Sequence, residues 1–180
     1  MANCCFVDIE VTFETEEAAG NAYDLFHDRE ESLGVDEGVW LAGKTYLFDQ
    51  DIQTSADMLY MHGWVKWAFQ SWDAYDFLKF LKHFGKIKSM HIEYHEFGNC
   101  VYGHYSYVDG KFTDTYLPAD HAPDYPEDID DIDEDDLWET ALEKYGKTIE
   151  LTETSVMVEK RQVEEEACAL FESAKKLKED

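Results

Sequence analysis

Residues 7–13 alternate apolar Val7, Ile9, Val11 and Phe13 with polar Asp8, Glu10 and Thr12, the period of a strand with one buried and one wet face. Thr15 then stands where a helix N-cap is expected. Ala18, Ala22, Leu25 and Phe26 recur at helical spacing behind it, with Glu16 and Glu17 in the first turn where acids suit the helix dipole. This helix is expected to end near Glu31, before Gly34. Gly34 and Gly38 mark a loop, after which residues 40–48 read as one strand stopping at Asp49, Gln50 and Asp51. A longer strand over 58–69 places Leu59, Met61, Val65, Trp67 and Phe69 on one face. Tyr60, His62, Trp64 and Lys66 fall on the other, so both faces carry aromatics and one is expected to be partly covered.

Ser71 is the expected N-cap of a second helix with Ala74, Phe77, Leu78, Leu81 and Phe84 as its buried stripe and Gly85 as its stop. Residues 87–97 alternate again, with Met90, Ile92 and Tyr94 inward and Ser89, His91, Glu93 and His95 outward. Turns at Gly98–Asn99 and Asp109–Gly110 lead into strands over 100–108 and 111–117, a three-stranded meander. The order strand, helix, two strands, helix, meander predicts an α+β fold for residues 1–118. The expected form is a ferredoxin-like split βαβ antiparallel sheet with helices on one face.

Pro118, Pro123 and Pro126 break the pattern, and residues 119–136 read as an acidic loop. Asp136 and Glu139 form a capping-box pattern ahead of Leu137, Trp138, Ala141, Leu142 and Tyr145, with Gly146 as the stop. Residues 137–180 are therefore expected to be a helical C-terminal extension. Residues 149–158 fit either a strand with Ile149 and Leu151 on one face or the start of the last helix. Within that helix Val163, Ala167, Leu170, Ala174 and Leu177 make a seam near heptad spacing, with Phe171 beside it. Such a seam packs on the sheet or on a second subunit, which leaves a homodimer open.

Charge changes this picture most. Among 180 residues, 41 acids face 15 bases, giving a formal charge of −26. That excludes nucleic acid and anionic lipid as direct ligands and favours a basic partner. Arg29 and Arg161 are the only arginines, so bidentate clamps for phosphate are scarce, which counts against nucleotide enzymes. Glu127, Asp128, Asp130, Asp131, Asp133, Glu134, Asp135 and Asp136 form the densest acidic run, yet residues 1–118 hold 20 of the 41 acids. A compact chain of this length spans about 40 Å, and duplex DNA of that length carries about 24 charges. The total thus matches a duplex. No apolar run approaches membrane-spanning length and no basic, apolar leader opens the chain, so a cytoplasmic location is expected.

Other chemistry is thinner. Cys4, Cys5, Cys100 and Cys168 lack disulfide-framework or Cys-x-x-Cys spacing, which points to a reducing compartment and half-buried thiols rather than a zinc or nucleophile site. Asp49, Asp51 and Asp57 read as loop acids rather than a catalytic pair. Asp131, Asp133 and Asp135 alternate like calcium-loop ligands, but the loop glycine is missing. His91, Glu93 and His95 share a strand face that His104 could approach, which makes an N/O metal site conceivable for an enzyme or sensor. The competing reading is the wet face of a hairpin.

The opening Met1-Ala2-Asn3-Cys4-Cys5, the aromatic strand through Trp64, Trp67, Phe69 and Trp72, and the later Tyr94, Glu96, Phe97, Gly98, Gly103, Tyr107, Asp109 and Gly110 together resemble an uncharacterised ferredoxin-like family of phage and plasmid proteins. The resemblance spans about residues 1–117, with Ala2 in place of the family's usual Pro. It implies a mobile-element origin and a compact α+β sheet domain, and it brings no agreed activity to transfer, so it does not imply an enzyme. The expected function is that of an acidic inhibitor of a basic nucleic-acid-binding host protein, of anti-restriction or anti-CRISPR type, that mimics nucleic-acid charge. No cofactor is expected. The residues expected to meet the partner are the eight acids of the run, with Tyr125 and Trp138 as aromatic anchors.

Overall fold

A computed structural model of the chain describes residues 4–33, 39–42, 45–66, 69–96, 101–123 and 134–176. In chain order the elements are β1 (Cys4–Phe13), α1 (Glu16–Leu33), β2 (Val39–Ala42), β3 (Thr45–Ser55), β4 (Met58–Lys66), α2 (Ser71–Leu81), β5 (Ile87–Glu96), β6 (Val101–Val108), β7 (Lys111–Tyr116), α3 (Glu134–Tyr145), β8 (Lys147–Leu151) and α4 (Glu153–Lys176). The strands form one antiparallel sheet in the order β2-β3-β4-β1-β5-β6-β7-β8. The fold is α+β, as the pattern predicts. The order across all eight strands is not that of a ferredoxin-like sheet, because β2 adds to one side and β6, β7 and β8 to the other.

Alternation in β1 sets the two faces. Cys5, Val7, Ile9, Val11 and Phe13 are fully buried, and their register partners Leu59, Met61 and Val65 on β4 and Met90, Ile92 and Tyr94 on β5 extend the same apolar layer. Ala18, Ala19, Ala22 and Phe26 of α1 and Ala74, Phe77, Leu78 and Leu81 of α2 close this layer into the main core. Thr15 caps α1 as expected, its Oγ1 accepting the Ala18 amide at 3.2 Å.

Five expectations are corrected. Residues 40–48 are not one strand: β2 and β3 form a hairpin, and β3 runs on through its polar half to Ser55. Ser71 is not the cap of α2, which starts from Gln70. The Gln70 amide donates to the Asp73 carboxylate at 3.1 Å, while the Ser71 hydroxyl donates to Glu159 on α4. α3 starts at Glu134, so Asp136 lies inside the helix and does not cap it. Residues 149–158 are both strand and helix, since β8 joins the sheet through β7 and α4 follows from a Thr152 cap. The sheet therefore extends past residue 118. Finally, the helices do not all share one face. Trp138 of α3 packs with Tyr102 and Leu117 in a small second core on the face opposite α1 and α2.

α4 is fixed to α2 near its start. Val156 is buried, Glu159 meets Ser71, and Lys79 of α2 pairs with Glu153. Residues 161–165 are exposed, Val163 among them. The side chains of the remaining seam, Ala167, Leu170, Phe171, Ala174 and Leu177, lie outside the described residues, as do Cys100, Cys168 and Trp67.

Candidate functional site: the open face of the sheet

The polar positions of the same alternating strands build the second face. Strand register places Trp64 of β4, Phe6 of β1, His95 of β5 and Tyr102 of β6 in one row. The rings meet in sequence. Phe6 and Trp64 lie edge to face at 5.2 Å, Phe6 and His95 stack at 5.0 Å, and His95 and Tyr102 stack at 6.5 Å. Trp138 continues the line from α3, 5.9 Å from Tyr102.

The next row holds His62, Asp8, Glu93, His104 and Thr115, each directly opposite the next on its neighbouring strand. The Tyr102 hydroxyl donates to Glu93 at 3.0 Å, holding that carboxylate beside the aromatic row. Phe6, Asp8, Glu93, His95, Tyr102 and Glu139 of α3 line a cavity of about 290 Å³. A second cavity of about 430 Å³ lies under α3, between His91, His104 and Glu143.

The four candidate metal ligands share this face, but the structure splits them. The His91 and His104 rings are 4.8 Å apart, and His91 Nδ1 lies 3.1 Å from the Ser106 hydroxyl. Burial, aided by the neighbouring His91, holds His104 below the usual histidine range. Glu93 turns to Tyr102 and His95 to Phe6. Among the described residues no group of three or more His, Cys, Asp or Glu side chains is placed to hold a metal ion.

Of the residues expected to meet a partner, Tyr125, Glu127, Asp128, Asp130, Asp131 and Asp133 lie outside the described residues. Glu134 and Asp135 belong to the first turn of α3, and Asp136 is exposed there. Trp138 is no partner anchor: at 1 % exposure it is spent on fastening α3 to the sheet. Asp49 and Asp51 belong to β3 rather than to a loop; Asp51 accepts a hydrogen bond from Gln53 and Asp57 pairs with Lys88, while the Asp49 side chain lies outside the described residues. Cys5 is buried and its thiol is pushed up to about 11 chiefly by desolvation, which disfavours the thiolate.

Phe6, Asp8 and Trp64 were not singled out from the sequence as site residues. Their signal was present in the wet-face positions of the alternating runs. What the runs lack is the pairing of β1 between β4 and β5, which alone brings these side chains together.

Among the described residues no helix is long and apolar enough to cross a membrane. No family model, no curated protein and no solved structure matches the chain, so the functional reading rests on the geometry and charge of this surface.

Proposed function

We propose that this chain is an acidic binding protein that occupies the nucleic-acid groove of a basic partner by presenting nucleic-acid-like charge. It acts by blockade and performs no chemistry. The observation that carries the reading is the formal charge of −26, which 15 bases cannot neutralise. Among the described residues four ion pairs form, all through lysine, engaging Glu14, Asp57, Asp76 and Glu153. A folded body with that excess steers basic surfaces toward itself and repels polyanions.

The resemblance to phage and plasmid proteins supplies the setting, a mobile-element product acting in the host cytoplasm on a restriction or CRISPR effector. The ferredoxin-like part of that reading draws support from the centre of the sheet. There β4 lies between β1 and β3, and β1 lies between β4 and β5. The passage from β1 through α1 and β2 to β3, and the passage from β4 through α2 to β5, are thus each split by one strand of the sheet, which favours reading β3, β4, β1 and β5 as a ferredoxin-like centre with the remaining strands as additions.

The test is competition on an isolated effector. The chain is expected to displace labelled nucleic acid at low salt and to lose affinity steeply as salt rises. Alanine at Glu127, Asp128, Asp130, Asp131, Asp133, Glu134, Asp135 and Asp136 together is expected to weaken binding and flatten the salt dependence. Unchanged affinity would sink the role given to the run.

A further inference from the structure

The part of the open face not covered by α3 has features that total charge does not explain. Asp8 and Glu93 stand directly opposite each other on β1 and β5, and like charges in that relation destabilise a sheet. Among the described residues no lysine or arginine pairs with Asp8, Glu93 or Glu139. Beside these carboxylates stand Phe6 and His95, stacked on each other at 5.0 Å, and Trp64, 36 % exposed, carries the aromatic row on to β4. Carboxylates and an exposed indole both attract cations, and a planar, weakly hydrated guanidinium satisfies both better than an ammonium does. The cavity of about 290 Å³ suits one side chain rather than a whole small-molecule ligand.

The geometry points to this face as the docking surface for an arginine-bearing segment of a protein partner, with one guanidinium held by the carboxylates of Asp8, Glu93 and Glu139 beside the aromatic row that ends in the exposed Trp64. The inference rests on the charge-mimic function and adds a location and a side-chain preference to it. Complementary charge selects the occupant: an external cation relieves the Asp8–Glu93 repulsion, and among the described residues no lysine does so.

Calorimetric titration of the full chain with a peptide of alternating arginine and glycine tests this, with the lysine peptide of equal length as second probe. The arginine peptide is expected to bind more tightly. The combined D8N, E93Q and E139Q replacement is expected to lower its affinity about tenfold, and neutralising the exposed Glu16, Glu17 and Asp24 of α1 to change it by less than about twofold. Trp64→Ala, which alters no charge, is expected to erase the preference for arginine over lysine, and it serves as the test if the triple variant fails to fold. Equal losses from the two triple variants, or a loss only on neutralising residues 127–136, would overturn the docking face and leave charge mimicry standing. Failure of both peptides to bind the unaltered chain at low salt would overturn both.

Discussion

Asp114 of β7 sits among groups that resist its ionisation. Burial pushes its carboxyl up to about 6 from 3.8, the hydrogen bond from the Tyr94 hydroxyl at 2.9 Å partly opposes this, and Glu159 of α4 adds to it. Burial raises Asp73 in the same direction. Since the fold favours the protonated form, the stability Asp114 contributes is fully present below pH 3.8 and is lost as pH rises through about 6. Asp114→Asn keeps an acceptor for Tyr94 and removes the charge. It is expected to add up to about 3 kcal/mol at neutral pH and nothing near about pH 3.5, read from urea unfolding at both values. A gain of equal size at both would show that the carboxyl is not the titrating group. Gly103, directly across from Tyr94, is a packing requirement at the same spot, for a Cβ there would lie 2.6 Å from the Tyr94 hydroxyl and 2.4 Å from the Thr115 carbonyl.

At the scale of elements, α3 is held by a small cluster of its own. Trp138, Tyr102 and Leu117 form it, with Ala141 and Leu142 at its margin, apart from the core under α1 and α2. Trp138→Ala is therefore expected to cost about 3–5 kcal/mol locally. Amide exchange should accelerate in α3 while β1, β4 and β5 keep their protection; loss of protection in β1 would show that the two cores are one cooperative unit. The helices and the meander were legible because their periods are local, and α1, α2 and β5 to β7 fall close to where those periods put them. Ser71 shows where local reading stops. It is a better cap by residue type than Gln70, but its hydroxyl is claimed by Glu159, 88 positions away. The β2–β3 hairpin is hard to read because only Gly43 and Lys44 part its two strands, with apolar residues close on both sides at Val39–Ala42 and Tyr46–Phe48. The open face was half legible: His91, Glu93 and His95 follow from alternation, whereas their neighbours Phe6 and Asp8 follow only from pairing across more than 80 residues.

For the molecule as a whole, a charge of −26 on one folded body opposes its own compactness. Raising sodium chloride from low to moderate concentration is expected to lift the melting temperature by about 5 °C, roughly 2 kcal/mol for a chain of this size, while weakening any basic partner's grip. A melting temperature indifferent to salt would mean that the acids are spaced too widely to repel. The same sheet also has a history in time. β1, made before both of its neighbours in the sheet, pairs with strands that follow it, β4 at residues 58–66 and β5 at residues 87–96. At about 5–20 residues per second of synthesis, β1 leaves the ribosome roughly 4–17 s before β5 is complete. During that interval Val7, Ile9, Val11 and Phe13 have no finished sheet to enter, so the central strand of the mature protein is the part of the nascent chain most in need of a chaperone.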